Sequence, residues 1–253
     1  MRLESLCSQY KPTCPYKGQD SEMTKTMFIF ISLMLTSSLT FLSKTTAQNN
    51  SPTSHEQINQ PRINKLHLLA PALTNKALNL GVMAYKHAQE KGGIKKAILT
   101  IIDYSLPSSQ KRMWIFDISH DQLLYNTYVA HGKNSGDLYA TNFSNAAASK
   151  ESSLGAYVTE NTYIGGKGLS LNLKGLETGF NNNAFSRRVV MHGAWYVESD
   201  FIHSHGRAGR SWGCPAVSPK LAKPIINTIK NGSMIFVYYP DKNYITHSNY
   251  VHS

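Results

Sequence analysis

The chain has 253 residues, 41% of them hydrophobic and 16% charged, with 17 Gly and 10 Pro. Aromatic residues at 10%, no heptad pattern and glycines without a period of three exclude collagen, a coiled coil and wholesale disorder, leaving one globular domain plus extensions. A net charge of +11 admits polyanionic partners such as nucleic acid, anionic lipid or an acidic wall polymer without choosing among them.

Residues 1–22 are polar and aperiodic, as expected of an upstream mis-start or a non-structural extension ahead of Met23. Residues 23–47 read as a signal peptide: a short basic stretch at Met23-Thr24-Lys25-Thr26, an apolar run from Met27 to Leu42, and small residues at Thr45-Thr46-Ala47. A membrane anchor is the alternative, but the run is broken by Ser32, Thr36, Ser37, Ser38 and Thr40 and is shorter than the roughly 20 apolar residues a spanning helix needs. Cleavage there predicts an exported protein of the periplasm or cell envelope. It would also remove Cys7 and Cys14, leaving Cys214 as a lone thiol.

Residues 48–66, rich in Asn, Gln, Ser and Pro, predict a flexible leader, and 67–96 a helical segment. There Leu73, Ala77, Leu80, Ala84 and Ala88 recur at steps of three and four from near Pro71, and Gly92-Gly93 stops the pattern. Strand-like runs follow at 97–103, 112–118 and 123–130, the last two as a hairpin. The stretch 132–183 is rich in Gly, Ser, Asn and Thr and predicts long loops around short strands, with turns at Gly165-Gly166-Lys167-Gly168.

Strands at 188–192 and 233–239 flank a helix with Ser218 as N-cap, Pro219 at its first position and Gly232 as its stop. Residues 241–253 read as a polar tail. The whole predicts a mainly β catalytic domain at 97–240, a sandwich or open barrel with one or two helices, preceded by the N-terminal helix.

An apolar strand, Val189-Val190-Met191, runs into His192-Gly193, and Ser211-Trp212-Gly213-Cys214-Pro215-Ala216 follows. A thiol becomes an acyl-transfer nucleophile when an imidazole takes its proton, which makes His192 and Cys214 candidates for base and nucleophile. Backbone N–H groups at the turn, those of Gly213 and Cys214 among them, can hold an oxyanion. An inert buried thiol is the competing reading.

The pattern His192-Gly193, a spacer, then Ser211-x-Gly213-Cys214 resembles the active-site signature of the murein L,D-transpeptidase family, the YkuD-like catalytic domain. Val129-Ala130-His131-Gly132 and Ser152-Ser153-Leu154-Gly155-Ala156-Tyr157 are similar to two upstream segments of that family, and Gly206–Ala216 to a sub-branch reading Ser-Trp-Gly-Cys-Pro-Ala. The resemblance, over about 97–239, implies a β-sandwich domain acting on peptidoglycan stem peptides without metal or other cofactor. It implies Cys214 as nucleophile and His192 as general base and then acid, with Gly193 as backbone support of the histidine. The acyl-enzyme formed with loss of D-Ala would pass to an amine, or to water in a carboxypeptidase or endopeptidase; a wall-binding module without activity is the reading from another class.

The family usually carries His or Lys where this chain has Trp212, and Arg or Asn where it has Ala216. Arg207 or Arg210 is the candidate replacement cation for a stem carboxylate, against a solvated basic loop. Ser211 and Trp212 join the substrate-binding candidates through the signature, and His131 because the matching family strand ends near the active cleft, against an ordinary loop histidine. Trp195, Tyr196 and Trp212 can stack on sugars or cover the acyl pocket, with core packing as the alternative.

His203-Ser204-His205 with His192 and Cys214 can be drawn as a zinc set. Two His at i and i+2 of a strand face opposite sides, however, and no acidic ligand has suitable spacing, so no metal is assigned. Lys95-Lys96 and Arg187-Arg188 read as solvated basic pairs, and no nucleic-acid recognition motif is present.

Overall fold

The structure, a computed structural model, describes residues 54–252; the extension at 1–22, the signal peptide at 23–47 and the start of the leader lie outside the described residues. The domain is mainly β. Eight strands form one sheet: β1 Ile98–Asp103, β2 Met113–Asp117, β3 Gln122–Thr127, β4 Gly155–Gly165, β5 Gly168–Gly175, β6 Val190–Gly193, β7 Ala216–Val217 and β8 Met234–Tyr238. Their order is β3-β2-β1-β8-β4-β5-β6-β7, with β1/β8 and β6/β7 parallel and the other pairs antiparallel. Past β3 the chain crosses to the opposite edge, where Ala130 bridges Ala216 on β7, bringing the sheet close to closing into a barrel.

The centre is apolar on both faces. β8 is buried along its whole length and β1 at all but its first residue, which is why both read as mainly apolar runs, with Leu99, Ile101, Ile102, Ile235 and Phe236 buried around the polar Thr100. Helix α2 (Asn75–Glu90) lies on these two strands. It approaches so closely at Gly81 that a Cβ there would meet Ile101 Cδ1 at 2.8 Å. Thr74 caps α2, accepting from the Ala77 N–H and donating to buried Asp103 Oδ2 at 2.7 Å, which ties the helix start to the end of β1. The helix stops at Glu90, just before Gly92-Gly93.

The structure corrects several expectations. The 48–66 leader is helical from residue 54, as α1 (Ser54–Leu69). A count of apolar residues does not show that Leu66 is fully buried and that Arg62 and Lys65 pair with Asp121 in the β2–β3 turn. In place of loops around short strands, the 132–183 stretch contains the hairpin of β4 and β5, 11 and 8 residues long, turning at Gly165–Gly168. The outer half of β4 faces solvent and carries Thr, Glu and Asn, so a half-exposed strand resembled a loop.

Within 97–240 the described α-helices are α3 (Ser199–His205) and α4 (Pro219–Ile229), as expected; α1 and α5 (Lys242–His247) are additional and lie in the stretches read as leader and tail. The polar tail is in fact anchored: Tyr244 on α5 is fully buried, and its hydroxyl donates to Glu177 Oε1 at 2.9 Å. Glu177 also accepts from the Ala156 N–H at 2.6 Å and from Ser248 Oγ, so its buried carboxylate has three donors. Helix α4 has Pro219 in its first turn, as expected, but Ser218 makes no side-chain cap. The helix ends at Ile229 rather than at Gly232, whose φ of +101° serves the turn into β8.

Candidate active site

β6 delivers His192 and the loop before β7 delivers Cys214, at one edge of the sheet. The parallel register pairs His192 with Ala216, so Val190 and Cys214 lie level two residues earlier. The Val190 N–H donates to Cys214 Sγ at 3.5 Å, and the thiol donates to the Arg188 carbonyl at 3.7 Å. His192 stands two residues further along the strand, a rise of about 7 Å.

The imidazole is buried, and its Nδ1 lies 2.9 Å from the Gly193 carbonyl. A carbonyl can only accept, so Nδ1 carries the hydrogen and Nε2 of the neutral ring is left with its lone pair. Burial holds the His192 pKa below its ordinary value, with Lys167 adding to the effect, and burial pushes the Cys214 thiol up. Both groups are therefore neutral near pH 7. Gly193 also lets β6 approach α4: a Cβ there would meet Ala222 Cβ at 3.1 Å and Pro219 Cα at 3.2 Å.

Ser211 is a builder of the loop rather than an open contact for substrate. It is buried, its hydroxyl donates to the Cys214 carbonyl at 2.6 Å, and its Oγ accepts from the Gly213 N–H at 3.1 Å. The Gly213 N–H is thus already bonded, which removes it as an oxyanion donor. The Cys214 N–H makes no hydrogen bond among the described residues. Gly213 has φ +115°, and a Cβ on it would lie 2.7 Å from the Glu151 carbonyl, so glycine is required there on both counts.

His131 is fully buried, so it supports the cleft from behind and does not line it. Arg112 Nη2 donates to its Nδ1 at 2.7 Å, which leaves Nε2 as the donor to the Gly136 carbonyl at 3.3 Å. Burial and the neighbouring guanidinium push His131 down to about 4. Its carbonyl accepts the Ser211 N–H at 2.9 Å, which connects this buried pair to the Cys214 loop. Arg112 itself is fully buried, donates to the carbonyls of Leu106 and Val129, and is pushed down to about 10 by burial.

Arg207 and Arg210 are not free cations. Both pair with Asp137 Oδ1, at 3.0 and 3.2 Å, and tie the 206–210 loop to the segment after Gly132. Among the described residues the cation that acts on the thiol is Arg187, half of the basic pair read from sequence as solvated, whose Nη2 lies 3.5 Å from where a Cβ on Gly213 would stand. Trp195 and Trp212 are 69% and 74% exposed, so core packing does not account for them. Trp195 meets Phe201 edge-on and Lys150 lies over Trp212. His203 and His205 sit exposed on α3, a helix rather than a strand, and among the described residues no group of three or more His, Cys, Asp or Glu is placed to hold a metal.

The profile of the L,D-transpeptidase catalytic domain family matches residues 69–238, and the chain belongs to that family. No curated protein matches it. Similar solved structures include an L,D-transpeptidase from Mycobacterium smegmatis, 16% identical with TM-score 0.36, the match covering 56% of this chain and 59% of that one. Mycobacterium tuberculosis L,D-transpeptidase 1 is 13% identical with TM-score 0.31, covering 56% and 62%. The L,D-transpeptidase from Stackebrandtia nassauensis is 16% identical with TM-score 0.32, covering 71% and 77%. The chain thus spans about three-fifths of the length of the first two.

Proposed function

We propose that this protein is an exported, cysteine-dependent peptidoglycan L,D-transpeptidase. The observation that carries the reading is the pairing of the two groups on neighbouring backbone: a thiol held by the Val190 amide, and two residues along β6 an imidazole whose Nε2 is free to accept a proton. Membership of the L,D-transpeptidase catalytic domain family supports the same reading.

In this scheme a stem tetrapeptide offers the carbonyl of its third residue. Cys214 passes its proton to His192 Nε2 as Sγ bonds to that carbonyl carbon, and the Cys214 N–H faces the negative charge that develops on the oxygen. The intermediate collapses, the C–N bond breaks, and His192 returns the proton to the departing D-Ala amine. A side-chain amine of a second stem then attacks the thioester, His192 takes its proton, and the thiol is regenerated. The signal at 23–47 would carry the domain to the periplasm, where the substrate is.

The test is intact mass of the protein after incubation with a disaccharide-tetrapeptide. An adduct on Cys214 with loss of D-Ala and a crosslinked dimer among the products is the expected result. A tripeptide product alone would mean that water is the acceptor. No adduct on a reduced thiol would overturn the enzyme reading in favour of wall binding alone.

A further inference from the structure

One short segment, Arg187–Val190, lies against the thiol and its turn. Val190 supplies its N–H and Arg188 its carbonyl, as above. Arg188 reaches that position because it ends a turn in the left-handed conformation, φ +55°. The Val189 N–H bonds the Ala184 carbonyl and the Arg188 N–H bonds the Phe185 carbonyl, the pairing that closes a helical turn with a left-handed residue. A non-glycine residue there costs about 1–2 kcal/mol.

Arg187 lies beside the turn that carries the thiol. Its guanidinium donates to the Ser144 and Glu151 carbonyls, both at 2.7 Å, to Ser149 Oγ at 2.9 Å and to Ser153 Oγ. All four bonded partners are neutral groups, and among the described residues no carboxylate forms an ion pair with it, although the Glu151 carboxylate is near enough to act on its charge. Its Nη2 lies 3.5 Å from where a Cβ on Gly213 would stand, so a half-buried full charge rests against the turn that carries the thiol. The same four bonds press the 144–153 loop onto Gly213, whose close neighbour is the Glu151 carbonyl.

We infer that Arg187 is the positioning residue of Cys214: a fixed cation, oriented by the serine-rich 144–153 loop, against which the thiolate develops as the proton leaves Sγ for His192. This rests on Cys214 being the nucleophile. The charge works on the thiol in the direction that favours its ionised form, against the burial that opposes it. Neutral hydrogen-bond partners suit this role, since a carboxylate bonded to the guanidinium would weaken the field at the sulfur further than the unbonded Glu151 carboxylate does.

The experiment measures the alkylation rate of Cys214 by iodoacetamide against pH in the full chain, read by mass spectrometry of the peptide containing Cys214. Arg187→Gln is expected to move the thiol titration upward and slow alkylation at pH 7.5 about fivefold or more, whereas Arg187→Lys stays within about twofold of wild type. Rates within twofold in folded Arg187→Gln overturn the inference. Should that variant not fold, Arg187→Lys decides alone: a fivefold loss with the charge retained means that Arg187 only braces the loop. Alkylation reads the thiol whether or not turnover occurs, so failure of the muropeptide reaction in wild type would count against the proposed function and leave this result standing.

Discussion

The hydroxyl of Ser211 donates to the carbonyl of Cys214, 2.6 Å away, and accepts the N–H of Gly213, so one buried side chain closes the turn that presents the thiol. Replacing it by alanine leaves a buried carbonyl and a buried N–H without partners. Ser211→Ala should lower unfolding free energy by about 1–3 kcal/mol and reduce kcat more than it raises KM. Urea unfolding and steady-state kinetics on the purified variant check both. A variant with wild-type stability would mean that water replaces the hydroxyl at no cost.

Gly213→Ala tests the backbone rather than the bond. The added Cβ would sit 2.7 Å from the Glu151 carbonyl at a φ of +115°, so the turn must move. The cost should be about 1–3 kcal/mol, accompanied by a fall in Cys214 alkylation by iodoacetamide. Unchanged alkylation and an unchanged unfolding midpoint would show that the turn has room to adjust.

The acid limb of kcat/KM should report His192 as the base. Burial depresses its pKa, so the neutral form that can accept a proton persists below the ordinary imidazole value of about 6.5, and activity is lost only as pH falls through a lower value. An acid limb at pH 7 or above would contradict that assignment.

Stability should follow His131. Its folded pKa is about 4. The unfolded chain, near 6.5, takes up the proton first as the medium is acidified. The contribution is therefore complete above about pH 6.5 and is lost as pH falls towards 4, by about 3 kcal/mol in all. Urea midpoints at pH 7 and 4.5 should separate further in wild type than in His131→Gln. Glu177, whose carboxyl burial pushes up, acts in the opposite sense in both proteins and cancels in the comparison.

Leu66→Ala should cost about 2–5 kcal/mol, because its side chain is fully buried where α1 docks. Hydrogen exchange should speed up along α1 before it does in the sheet. A loss below about 0.5 kcal/mol would return residues 54–69 to the status of a loose leader.

The candidate residues His192 and Cys214 stood out in the sequence because an apolar run ending in His-Gly and a Gly-Cys-Pro turn are local patterns, and β1, β2, β3, β6 and β8 were legible as mainly apolar runs between turn residues. The β4–β5 hairpin was not, since its solvent-facing half carries the residues of a loop. Helix α5 was missed for a related reason: one buried Tyr244 and an Asp241 cap hold it, too few apolar positions to make a pattern.

The amino-acid order alone determined which candidate groups are present, a thiol and an imidazole with their spacing, and it determined the apolar centre of the sheet. Which charges and donors surround the thiol was decided by tertiary structure. Arg187 stands 27 positions before Cys214 and looks like half of a solvated pair, while Arg207 and Arg210, much nearer in sequence, are held by Asp137. Charge acts through distance in space and through what else a group is bonded to, and neither quantity exists until β6 and β7 lie side by side.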